Sequence, residues 1–109
     1  PDDKRQKLWK KQRKKYGFDE RETWSMDYTW RLWLYERLKA YKKWACVDLD
    51  FHKFKWGSTE YTQGELIDIM LEKLEFYFSD EYDDLNEDDI LRVGEIEDIW
   101  TVVVHAMWW

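Results

Sequence analysis

A chain of 109 residues, 44% hydrophobic and 19% aromatic, has the length of one domain and enough apolar material for a packed core, which excludes wholesale disorder. One proline and four glycines leave few breaks and favour a mainly α chain with a little β over a sandwich or barrel. The single Cys46 rules out an internal disulfide framework. No apolar run approaches the ~20 residues of a membrane span and no signal-peptide pattern is present, so a soluble, cytoplasmic protein without a membrane partner is expected. Pro1 in place of methionine suggests a processed or trimmed start.

The net charge of −6 conceals a polarity along the chain. Residues 1–15 carry eight Lys/Arg against two Asp, residues 16–47 six against five, and residues 48–109 four against seventeen Asp/Glu. The basic start either lies against the acidic end of the same fold or leaves that end free to attract basic surfaces and repel nucleic acid.

The first element is a short basic helix over residues 1–16, with Asp2 and Asp3 at its start, lysines and arginine at its end and Gly17 just beyond. Its apolar content is Leu8, Trp9 and Tyr16, so it docks through Trp9 or frays. A nucleic-acid-binding arm is one use for eight cations, but the acidic remainder opposes an approaching phosphate backbone. A solvated or self-paired helix is the expectation, with no direct nucleic-acid contact.

The next stretch, Tyr16–Trp44, holds four of the nine tryptophans and four of the seven tyrosines. Asp19–Glu22 and Thr23 are candidate caps for a central helix over 23–45. At about 100° per residue, Met26, Trp30, Trp33, Leu34, Leu38, Tyr41, Trp44 and Ala45 form a broad core face. Trp24, Tyr28, Leu32 and Tyr35 form a second apolar stripe among charged residues, so the helix wants neighbours on two sides. Three to four helices around this Trp-rich one are expected.

Val47, Leu49 and Phe51 alternate with Asp48, Asp50 and His52, the period of a strand, and Gly57-Ser58 reads as a tight turn, giving a hairpin over 47–61. Thr62 and Glu65 have the spacing of a capping box before a helix over 63–78, whose Leu66, Ile67, Met70, Leu71, Leu74, Tyr77 and Phe78 share a face. An acidic loop follows over 79–89. Asn86 then caps a last helix over 87–107 with Val93, Ile96, Ile99, Trp100, Val103, Val104 and Met107 on one side, although the β-branched run Thr101–Val104 leaves a strand open. The ending Trp108-Trp109 is packed into the core or serves a homodimer interface.

Catalytic chemistry has little to draw on. One cysteine, two histidines and no glycine-rich phosphate loop or nucleophile turn argue against an enzyme. Asp48, Asp50 and His52 on one strand face would begin a metal site, but no further ligands are signalled. Asp84, Asn86, Asp88 and Glu95 match positions 1, 3, 5 and 12 of an EF-hand calcium loop, but Asp89 stands where that loop needs glycine for its sharp turn. No cofactor or metal is expected.

Two surfaces suit binding better. Asp80, Glu81, Asp83, Asp84, Glu87, Asp88 and Asp89, continued by Glu95, Glu97 and Asp98, can imitate the charge density of a phosphate backbone and occupy a basic nucleic-acid-binding groove of a partner protein. Trp24, Tyr28 and Tyr35 with Arg31 can stack a base or nucleotide and hold its phosphate, a small-ligand alternative.

The segment YGFDERETWSMDYTWRLWLYERLKAYKKW, continued by VDLDFHKFKW and the terminal AMWW, resembles short open reading frames of phages and prophages of gut Firmicutes, over roughly residues 12–56 and the C-terminus. That resemblance lends no catalytic or binding residue, and the acidic loop after Phe78 is not part of the pattern. It implies a setting: small, acidic phage accessory proteins are often inhibitors of host defence, including anti-CRISPR proteins and sponges for nucleotide signals. The expected protein is therefore a non-enzymatic phage binding protein, acting by acidic mimicry on a host defence protein. A nucleotide sponge and a self-associating virion assembly protein are the alternatives.

Overall fold

The computed structural model describes residues 2–107, with Asp2 described through its backbone alone. The described residues form four α-helices and one two-stranded antiparallel sheet, so the fold is mainly α with a small hairpin. In chain order these are α1 (Asp2–Tyr16), a short 3₁₀ turn (Glu20–Thr23), α2 (Met26–Trp44), β1 (Lys53–Trp56), β2 (Thr59–Thr62), α3 (Gln63–Phe78), α4 (Glu87–Val103) and a closing 3₁₀ turn (Val104–Ala106). The chain divides into two compact units, the first ending at Leu34 and the second beginning at Tyr35, so the boundary falls inside α2.

In the first unit α1 docks against the segment after it. Trp9 Nε1 donates to Glu20 Oε1 at 3.3 Å, and the Trp9 ring meets Trp24 edge-on with centroids 6.3 Å apart. Gln12 Oε1 accepts from the Glu20 amide at 2.9 Å. Asp19 does not cap a helix starting at 23, as its position predicts. It caps the 3₁₀ turn in a reciprocal box with Glu22, and α2 begins only at Met26.

The centre of the second unit is α3 packed on α4. The Thr62 side chain accepts from the Glu65 amide while Glu65 Oε1 accepts from the Thr62 amide at 2.8 Å, which starts α3. Leu66, Ile67, Met70 and Leu74 of α3 and Val93, Ile96, Ile99 and Val103 of α4 are fully buried, each stabilising by about 1.5–3 kcal/mol. Gln63, also buried, donates from Nε2 to the Tyr41 hydroxyl at 3.5 Å and to the Ala106 carbonyl at 3.4 Å, joining the start of α3 to α2 and to the closing turn. Lys42 and Asp68 form a further ion pair between α2 and α3.

The broad tryptophan face of α2 is not the centre. Only Leu34 and Leu38 are fully buried there, while Met26 (61% exposed) and Trp44 (62%) stand largely in solvent and Trp33 is 44% exposed. Helical period shows which residues share a face, not how wide a strip a neighbour covers: Leu34 and Leu38 are covered fully, and Trp30, Tyr41 and Ala45 in part.

The hairpin is shorter than the expected 47–61. Lys53 pairs with Thr62 and Trp56 with Thr59 around Gly57-Ser58. Gly57 has φ +67° and Ser58 is not in the positive-φ region, the order of a type II′ turn, which suits the twist of the strands. Residues 47–51 form no strand. Asp48 Oδ1 accepts from the Asp50 amide at 2.9 Å and the Asp48 carbonyl accepts from Phe51 at 3.3 Å, a local turn that displaces the extended conformation despite the alternating pattern. The loop then packs on α3: the Gly64 amide donates to the Leu49 carbonyl at 2.9 Å, and a Cβ at Gly64 would stand 3.0 Å from Asp50 Oδ1.

The run Thr101–Val104 is helical, with α4 ending at Val103 and the 3₁₀ turn taking over from Val104. Trp108 and Trp109, the candidate homodimer contact, lie outside the described residues. Gly94 sits inside α4 with open space where a Cβ would project. Gly94→Ala is therefore expected to stabilise the protein by roughly 0.8–1.0 kcal/mol, read as a raised midpoint of thermal unfolding. A lower midpoint would mean that this glycine has a role in the fold that the open space does not reveal.

Candidate partner-binding surface

The acidic surface is assembled from the loop after α3 and the first turn of α4. Between Lys73 and Arg92 the chain has no cation. Of the seven candidate carboxylates, Asp80, Glu81, Asp83, Asp84, Glu87 and Asp88 are exposed, and Asp89 is half-buried. The loop is held at two points. At its start Tyr82 folds back on the end of α3, its ring 5.9 Å from Phe76 and 5.1 Å from Tyr77. At its end Asp83–Asn86 forms a turn, with the Asn86 amide donating to the Asp83 carbonyl at 3.1 Å.

Two of the carboxylates serve the loop itself. Asp89 Oδ2 accepts from the Asp83 amide at 3.1 Å, and Asp83 Oδ1 accepts from the Leu85 amide at 2.9 Å. Asn86 Oδ1 accepts from the Asp89 amide at 3.1 Å and so starts α4. Asp80, Glu81, Asp84, Glu87 and Asp88 are left facing water. Leu85, 89% exposed, projects from the tip of the turn among them.

The continuation along α4 is less available. Glu95 Oε1 pairs with Lys73 at 3.2 Å, and Lys73 Nζ lies 5.9 Å from the centre of the Trp56 ring, which ties the acidic helix to the hairpin. Arg92 lies over Phe76 at 3.9 Å and reaches Glu72 at 3.8 Å. Sequence reasoning missed Tyr82. Its signal was a lone ring inside SDEYDD, directly after the aromatic end of α3.

Of the alternative ligand residues, Trp24 and Tyr35 have different neighbours. Trp24, 64% exposed, meets Trp9, and Tyr28 is half exposed in the same unit with Arg31 half-buried. Tyr35 belongs to the second unit, where its hydroxyl donates to Glu75 at 3.4 Å and its ring takes Phe78 at 5.7 Å and the Lys39 ammonium at 4.4 Å. The boundary between the two units falls between Arg31 and Tyr35.

Among the described residues no group of three or more His, Cys, Asp or Glu is placed to hold a metal ion. Asp50 Oδ1 accepts from the Thr62 hydroxyl at 3.0 Å, and the His52 ring stands edge-on to Phe51 at 4.9 Å, so Asp48, Asp50 and His52 have separate partners rather than one strand face. In the calcium-loop spacing, Asn86 is engaged as a cap and Glu95 as an ion-pair partner. Among the described residues no helix is long and apolar enough to cross a membrane. No protein-family model matches the chain, and no curated protein or solved structure matches it either.

Proposed function

We propose that this protein is a non-enzymatic binding protein of phage origin that inhibits a host defence protein, its acidic loop occupying a basic nucleic-acid-binding groove. The observation that supports this reading is the set of five water-facing carboxylates, Asp80, Glu81, Asp84, Glu87 and Asp88, on a loop pinned by Tyr82 and the Asp83–Asn86 turn. A pinned loop presents its charges without the ordering entropy that a free acidic tail would lose on binding. An array of one sign speeds association with a basic surface and penalises an acidic one.

The test reverses those five residues to lysine and leaves Asp83 and Asp89, which hold the loop, untouched. Tagged wild-type protein is used to capture partners from lysate of a bacterial host, and the affinity for the captured protein is then measured. The reversed protein should retain its helical circular dichroism and lose affinity by several kcal/mol, roughly a hundredfold or more, because like charges now face each other. Wild-type protein should also displace nucleic acid from the partner, less effectively as salt rises. Equal capture by the two proteins would overturn the reading.

A further inference from the structure

Within the first unit α1 has two unlike faces. Trp9, Gln12 and Arg13 turn toward the following segment, where they meet Trp24, Glu20 and Asp19. At 3.6 residues per turn, Lys4, Lys7, Lys10, Lys11, Lys14 and Lys15 fall on the other side, within an arc of about 140° and along about 16 Å of axis. All six are exposed, and among the described residues none of them is in an ion pair. Lys7, Lys10, Lys11 and Lys14 together line a shallow open recess.

This face is adverse to the helix that carries it. Lysines three and four residues apart repel, at about 0.2–0.5 kcal/mol per pair, and no carboxylate is interleaved to relieve them. Folding does not explain the arrangement, whereas a polyanion laid along the face would. We propose that the lysine face of α1 binds the phosphate backbone of duplex nucleic acid without regard to sequence.

Three observations select that occupant. Duplex DNA presents a charge about every 1.7 Å of axis, so several phosphates come within reach of the lysine array. A single strand would be gripped by stacking its bases on a row of rings, whereas here Trp9 is turned away and Tyr16, whose ring lies 5.2 Å from the Lys15 ammonium at the end of the array, packs beside Phe18 with centroids 6.1 Å apart. A membrane surface would need a continuous apolar strip, and Leu8 and Tyr16, at the edge of the lysine array, do not make one. With a Debye length of about 8 Å at physiological salt, an approaching backbone responds most to the exposed charges nearest it. The first unit itself has ten Lys/Arg against six Asp/Glu.

This inference is independent of the acidic loop and is tested without any partner protein. The full chain is titrated into fluorescein-labelled 20-base-pair duplexes of two unrelated sequences, with anisotropy read from 50 to 200 mM salt. Micromolar binding to both duplexes at low salt is expected, with a log–log salt slope of about −5 if all six lysines engage, at about −0.9 per phosphate. The variant K7Q/K11Q/K14Q, with its circular dichroism checked, should bind more weakly and with roughly half that slope. Absence of binding at 50 mM salt, an unchanged slope in the variant, or tighter binding to a matching single strand or to anionic lipid vesicles would each overturn the proposal.

Discussion

Replacing Ile96 by alanine is expected to lower the unfolding free energy by about 2–5 kcal/mol and the thermal midpoint by roughly 10 °C or more. Ile96 is fully buried on α4, which packs against α3 with its equally buried Met70 and Leu74. Deleting its three outer carbons removes contacts that no water can replace, and the tightly packed helix pair around it collapses only in part. The matched control is Leu91→Ala. Leu91 is on the same helix but 62% exposed, so its truncation should change stability by no more than about 0.5 kcal/mol. The two variants compared by urea titration decide which face of α4 carries the fold. If Ile96→Ala unfolded at the same denaturant concentration as Leu91→Ala, α3 and α4 would not form the centre described above.

That centre was legible because its signals are local and mutually consistent. In α3 a capping box and an apolar period coincide, and in α4 a capping asparagine precedes a period of buried branched residues. The hairpin turn was legible for the same reason, since Gly57-Ser58 sits between two short runs of strand formers. Elsewhere, competing interactions decided. The alternation of Val47, Leu49 and Phe51 lost to the turn that Asp48 makes with its own neighbours and to the docking of Leu49 on Gly64, a contact across fifteen residues that no periodicity encodes. In α2 the pattern identified the right helix but overstated its buried width, because large rings read as core whether or not a neighbour reaches them.

The candidate site was legible in composition and illegible in support. The run of carboxylates from Asp80 to Asp89 is plain in the sequence, but it does not distinguish the five that face water from Asp83 and Asp89, which hold the loop. A reversal that included the latter two would confound lost binding with a loosened loop. The lysine face of α1 was hidden differently. Eight cations in the first fifteen residues are obvious, whereas their sorting depends on Trp9 and Arg13 docking against residues that follow the helix.

The docking of α1 depends most on Asp19, and Asp19→Asn is expected to release it. The Asp19 carboxylate is 4% exposed and accepts four hydrogen bonds: from the Arg21 amide at 3.0 Å, Arg21 Nε at 3.0 Å, Arg21 Nη2 at 2.9 Å and Arg13 Nη1 at 2.8 Å. The Arg13 bond is a direct tie from α1, and the Arg21 bonds hold that guanidinium 4.1 Å over the Trp9 ring. Asparagine has one acceptor oxygen and no charge, so it cannot bind both arginines in this way. Arg13 and Arg21 are each close to half exposed, 46% and 42%, so water can solvate them once they are let go. The visible consequence should therefore be the freeing of α1. Hydrogen exchange should show lost amide protection in residues 9–24 of the variant, with residues 63–103 unchanged. The pH response has a definite sign. The Arg21 side-chain bonds outweigh desolvation and, with Arg13, hold the folded carboxyl well below the usual carboxylate range. A depressed folded pKa contributes stability that is complete above the unfolded value of about 4 and is lost as pH falls below it. Wild-type protection of residues 9–24, corrected for intrinsic exchange, should decline below pH 4 toward that of Asp19→Asn, whose own protection lacks this titration. Protection in Asp19→Asn equal to wild type at pH 6 would show that the Trp9 contacts alone hold α1 in place.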